Sequence, residues 1–106
     1  MIRVSVYWGA DGGITGFEAV DHAGMAPRGQ DIVCAGVSAL TDTAFLGLTK
    51  HLEREVDFQA ANGKLSVRLK QSPDSLSDAI LATMLLGIKE IEKQYPKHVR
   101  VSESRR

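Results

Sequence analysis

Residues 56–69 read Val56-Asp57-Phe58-Gln59-Ala60-Ala61-Asn62-Gly63-Lys64-Leu65-Ser66-Val67-Arg68-Leu69. Asn-Gly accepts the positive φ values of a two-residue hairpin turn, so Asn62-Gly63 fixes the pairing around it. Ala60 then faces Leu65, Phe58 faces Val67 and Val56 faces Leu69. On the other face Asp57 meets Arg68 and Gln59 meets Ser66. Every apolar residue meets an apolar one and the acid meets a base, an agreement independent of the turn residues.

The pattern extends outward in both directions. Ile2, Val4, Val6 and Trp8 alternate with Arg3, Ser5 and Tyr7, which is the period of a half-buried strand. Asp11-Gly12-Gly13 supplies a turn, and a second strand is expected from Ile14 to Asp21. Residues 23–29 carry two glycines and a proline without period and read as a loop. From Gln30 to about Glu53 the period becomes helical, with Val33, Val37, Leu40, Ala44 and Leu48 as the stripe. After the Asn-Gly hairpin, Ser72-Pro73 is expected to open a second helix, with Ser75 and Asp78 as an alternative capping box. Its expected stripe is Leu76, Ile80, Met84, Gly87, Ile88 and Ile91, ending near Tyr95-Pro96. A short strand from His98 to Val101 and a frayed tail from Ser102 to Arg106 complete the reading. The order is ββαββα: an α+β, two-layer sandwich of one domain over residues 1–106, with two helices on one face of an antiparallel sheet. Leu81, Leu85 and Leu86 lie off the second helix's stripe, which predicts a homodimer.

Composition narrows the function. Thirteen Lys and Arg balance thirteen Asp and Glu, and a net charge of zero argues against nucleic acid as a direct partner. No apolar run is expected to approach the roughly 20 residues of a membrane span, so no membrane association is expected. The single cysteine, Cys34, excludes an intrachain disulfide and suits a cytoplasmic setting. Cys34 and His22 lie twelve positions apart and give only two ligands, so no metal or other cofactor is expected. His51 and His98, near element ends, read as solvated.

The same two residues carry the only loaded chemistry. His22 sits at a strand end and Cys34 in the first turn of a helix, where unsatisfied amides and the dipole stabilise a thiolate. A nearby imidazole would complete a Cys–His dyad, and the same amides could serve an oxyanion. The opposing reading is a buried, inert thiol on the helical stripe next to Val33.

The run His22-Ala23-Gly24, four variable residues, then Gly29-Gln30-Asp31-Ile32-Val33-Cys34-Ala35-Gly36-Val37-Ser38 resembles the signature of the ribosomal-processing cysteine protease family, Prp. That family has His-Ala-Gly, a glycine-bearing loop, then Asp-Ile-Val-Cys-Ala-Ala-Val-Ser. The Asn-Gly hairpin, the second helix and Tyr95-Pro96-Lys97 also resemble it in order and length. The resemblance implies a dimeric ββαββα protease that removes an N-terminal extension from the twenty-seventh large-subunit ribosomal protein. Cys34 would be its nucleophile and His22 its general base. Gly24 and Gly29 would hinge a loop that orders over bound peptide. Asp31 either caps the helix or accepts a hydrogen bond from His22. Ser38, one turn after Cys34, either supports the dyad or bonds back to the Cys34 carbonyl. Two departures stand out. Asp21 replaces the usual Gly before the histidine, where an acid would raise the imidazole pKa. Gly36 replaces the usual second Ala, weakening the helix or allowing a close approach. The alternative function is a non-catalytic ribosome-assembly or interaction module.

Overall fold

The computed structural model describes residues 1–20 and 31–105, with the side chain of Asp31 outside that set. Its elements are β1 (Ile2–Trp8), β2 (Ile14–Val20), α1 (Asp31–Leu46), β3 (Val56–Ala61), β4 (Lys64–Leu69), α2 (Ser75–Gln94) and β5 (Val99–Arg105). The five strands form one sheet in the order β3-β4-β2-β1-β5. All neighbours are antiparallel except β1 and β5, which run parallel. The α+β reading holds, with the last strand making the sheet mixed.

Register decides which side chains enter the core. The β3–β4 hairpin pairs Val56 with Leu69, Phe58 with Val67 and Ala60 with Leu65, as its turn requires. Gly63 takes φ 78°, the left-handed conformation that favours glycine. In β1–β2, Val4 pairs with Ala19 and Val6 with Phe17, the faces a two-residue turn would give. The chain reaches that register differently. Residues 9–13 form a longer loop, and the register shifts at Tyr7/Trp8, so Thr15 is an extra residue on β2. Gly16 beside it has no alternative. A Cβ there would lie 2.4 Å from the Val67 carbonyl oxygen, where β2 crosses β4.

Both helices cover the face that carries Val4, Val6, Phe17, Val67 and Val99, all of them buried. In α1, Val33, Val37 and Ala44 face inward as expected, as does Leu48 in the turn that follows, and Leu40 is half-buried. The expected helix to Glu53 ends sooner. A π-helical turn, Gly47–His51, follows α1, and Glu53 (φ 54°) turns the chain toward β3. The 20-residue segment Ile32–His51 has a mean hydropathy of 1.5 in its 18-residue window, long and apolar enough to cross a membrane by length and composition. Here its inner stripe packs on the sheet, as a core helix does.

The second helix corrects three expectations. Neither Ser72 nor Ser75 caps it. Asp74 does, accepting from the backbone N–H groups of Leu76 and Ser77, while the Ser77 hydroxyl receives the Asp74 N–H. Those amides and Arg54, 2.7 Å away, hold the Asp74 carboxyl below its ordinary pKa. Asp78 is not part of a cap box; its Oδ1 accepts from the Ile14 N–H at 3.0 Å, tying α2 to β2. The buried stripe is Ser77, Leu81, Met84, Leu85 and Ile88. It shares Met84 and Ile88 with the expected stripe and replaces Ile80 by its neighbour Leu81. Leu81 and Leu85 are therefore core, and the apolar residues left exposed are Leu76 and Leu86. Helix contact is close at three glycines: a Cβ on Gly36, Gly47 or Gly87 would lie 3.0–3.4 Å from Ile91, Ile80 or Leu40.

The C-terminal tail does not fray through Arg105. Ser102 to Arg105 pair with Ser5 to Trp8. Glu103 accepts from Trp8 Nε1 at 2.9 Å and pairs with Lys89 at 2.7 Å. Lys89 first, and Trp8 second, hold its carboxyl below the ordinary value. His98 precedes this strand, its N–H donating to the Tyr95 carbonyl.

Candidate active site

Cys34 belongs to the first turn of α1, three residues after its first residue, Asp31. Its neighbours at helical spacing are Val37, Ser38, Thr41 and Asp42. All five line one open cleft of about 330 Å³. The floor comes from Ile2 and the end of β2, Ala19 and Val20. The opposite wall is the tip of the β3–β4 hairpin, Ala60 to Leu65. The cleft exists because the sheet ends under the start of α1, while the hairpin tip projects beside it.

The side chains grade along this cleft. Val37 and Thr41 are buried, Cys34 is half-buried, and Ser38 and Asp42 are exposed. The Thr41 hydroxyl donates to the Val37 carbonyl at 3.1 Å, so it is spent within the helix. Cys34 is thus neither sealed in the core nor fully open, the microenvironment in which a thiol can be both positioned and reached.

Of the residues singled out in the sequence, the structure brings Cys34 and Ser38 into one cleft. Ser38 is exposed, one turn after Cys34 on the cleft's helical wall. Asp31 starts α1, and its side chain lies outside the described residues. His22, Gly24, Gly29 and Asp21 also lie outside them. Sequence reasoning missed the hairpin tip, Ile2 and Asp42 as cleft residues. Spacing could have found Asp42, eight residues after Cys34. Nothing in the local pattern announces the hairpin tip, because strand order is not a local property. His51 is exposed, and His98 is half-buried with its ring 6.5 Å from that of Tyr95.

Comparison with known proteins gives a consistent result. The family model described as cysteine protease Prp matches residues 1–100. The ribosomal processing cysteine protease Prp of Staphylococcus aureus is 30% identical over 105 residues, covering 96% of this chain and 98% of that one. Two solved structures from that organism superpose closely. The essential ribosomal processing protease Prp in complex with a substrate peptide gives a TM-score of 0.89 at 26% identity. The same protease with a covalently linked product peptide gives 0.86 at 27%. Each alignment covers 97% of this chain and 99% of the other. A family match across nearly the whole chain, with the sole cysteine at the mouth of a cleft, identifies this chain as a member of the cysteine protease Prp family and therefore as a cysteine protease.

Proposed function

We propose that the chain is a ribosome-maturation endopeptidase that removes the N-terminal extension of the twenty-seventh large-subunit ribosomal protein, with Cys34 as nucleophile and His22 as general base. The observation that carries this reading is the place of Cys34: half-buried, in a helix's first turn, on the wall of an open cleft. The cleft's length along α1 suits an extended peptide, and a relative is known with a substrate peptide bound.

The chemistry follows from those two side chains. His22 takes the thiol proton, and the Cys34 sulfur attacks the scissile carbonyl carbon. The amides at the start of α1 receive the developing oxyanion. The C–N bond breaks as His22 returns the proton to the leaving amine, leaving a thioester on Cys34. Water, deprotonated by His22, cleaves the thioester and restores the thiol. Asp31 and Ser38 steady this arrangement, and Gly24 and Gly29 hinge the loop that closes over the peptide. No metal or cofactor takes part, and the enzyme acts in the cytoplasm without binding nucleic acid or membrane itself.

The working unit is a homodimer. Leu76 and Leu86 are 57% and 67% exposed on α2, beside an apolar groove between the helices that includes Leu40, Ala44 and Ile80. Light scattering after gel filtration should give the mass of two chains. A monomer at micromolar concentration rejects this part of the proposal.

Mass spectrometry of the host ribosomal protein tests the catalytic reading. Wild type should remove the extension, and Cys34→Ala should lose at least about a thousandfold in rate while keeping its circular dichroism spectrum. Cleavage by Cys34→Ala at the wild-type rate overturns it. Failure of iodoacetamide to label Cys34 in the native protein favours the non-catalytic alternative.

A further inference from the structure

Cys34, Ser38 and Asp42 are spaced i, i+4, i+8, so they form one ridge along α1. All three line the cleft. Among the described residues two charged ones line it, Asp42 and Lys64. Lys64 is drawn to the other side of the sheet, with its Nζ 3.9 Å from Glu18 Oε2. The Asp42 carboxylate is exposed and has no ion pair or hydrogen bond among the described residues. The rest of the surface around it is apolar or carries hydroxyl and amide groups. Among the described residues the cleft therefore holds neutral side chains next to the thiol along α1 and an unpaired negative charge farther along the helix.

We infer that Asp42 is a specificity-determining residue that receives a basic side chain of the bound peptide. This rests on the reading of Cys34 as nucleophile and adds a position to it. Eight residues of helix rise about 12 Å. An extended peptide advances about 3.3 Å per residue. A peptide lying along the ridge with its scissile carbonyl at Cys34 brings its third or fourth residue to Asp42. A lysine or arginine at that distance meets the carboxylate; a glutamate there is repelled. Because Asp42 is exposed, the contact is a modest one, screened by solvent.

The test is a panel of peptides built on the host extension. In it a single lysine, glutamine or glutamate occupies each of the four positions on either side of the scissile bond. For wild type, kcat/KM should favour lysine over glutamine about three- to tenfold at the third or fourth position on one side, through KM. In Asp42→Asn that ratio should fall to about one. In Asp42→Lys the preference should turn to glutamate, a reversal that a merely structural role does not produce. Equal rates for lysine and glutamine in wild type, or a preference that survives in Asp42→Asn, overturn the inference alone. Cleavage of no peptide by wild type overturns the endopeptidase reading and this inference with it.

Discussion

Phe17 and Phe58 flank the same residue, Val67, in one row across the sheet, and both point to the helical side. Phe17 is fully buried, whereas Phe58 is 55% exposed. Phe58 keeps one substantial aromatic neighbour, Phe45 of α1, with ring centroids 5.0 Å apart in an edge-on arrangement. The difference comes from strand order: β2 is central and β3 is an edge. Alternation says which face a side chain takes, and strand order says how much of that face is covered.

Five variants bear on this contrast. The largest effect is expected from Phe17→Ala, at about 3–5 kcal/mol of stability lost in urea unfolding. Phe58→Ala should cost about 1–2 kcal/mol, the loss of partial burial and one aromatic pair. Equal losses would show that β3 is as well covered as β2 and would break the comparison. The turn regions repeat the contrast. Gly16→Ala forces a Cβ against the β4 backbone and should cost about 3 kcal/mol. Gly63→Ala meets the strain of a positive φ and should cost about 1 kcal/mol. A Gly16→Ala protein as stable as wild type would mean that β2 and β4 part easily.

The smallest effect concerns the other edge. The Glu103 carboxyl titrates below its ordinary value in the folded chain. Its contribution is therefore complete above the ordinary carboxylate value of 4.5. It is lost as the pH falls from there through the folded value. Because Glu103 is partly exposed, the effect should be at most about 1 kcal/mol. Glu103→Gln should flatten the acid limb of a stability–pH curve by that amount. An unchanged limb would show that backbone pairing alone holds β5.

Much of this architecture is legible in the residues. The Asn62-Gly63 turn fixes the β3–β4 register, and the face of Ala19 follows from the β1 alternation. The cysteine in a helix's first turn is legible too, since Asp31 and the stripe from Val33 mark where α1 begins. Other features depend on contacts between distant segments. The α2 cap was hidden by three competing Ser and Asp candidates, and Arg54, twenty residues away, is the group that pairs with Asp74. Asp78 serves β2, and no local rule points there. The tail from Ser102 looks polar and terminal, yet β1 offers it an open edge. The cleft combines α1 with a hairpin tip that lies about thirty residues farther along the chain, so only its helical wall could be anticipated.

The parallel pairing of β1 with β5 joins Ile2 to Val99 and Trp8 to Arg105, the first strand to the last. During synthesis β1 is made well before β5 and keeps one edge unpaired until the intervening residues and β5 have followed. Contacts of such long sequence separation slow folding and leave strand edges open to wrong partners in the meantime. The sheet can close at that edge only after β5 has been made, so this pairing is a late step in the folding of the domain.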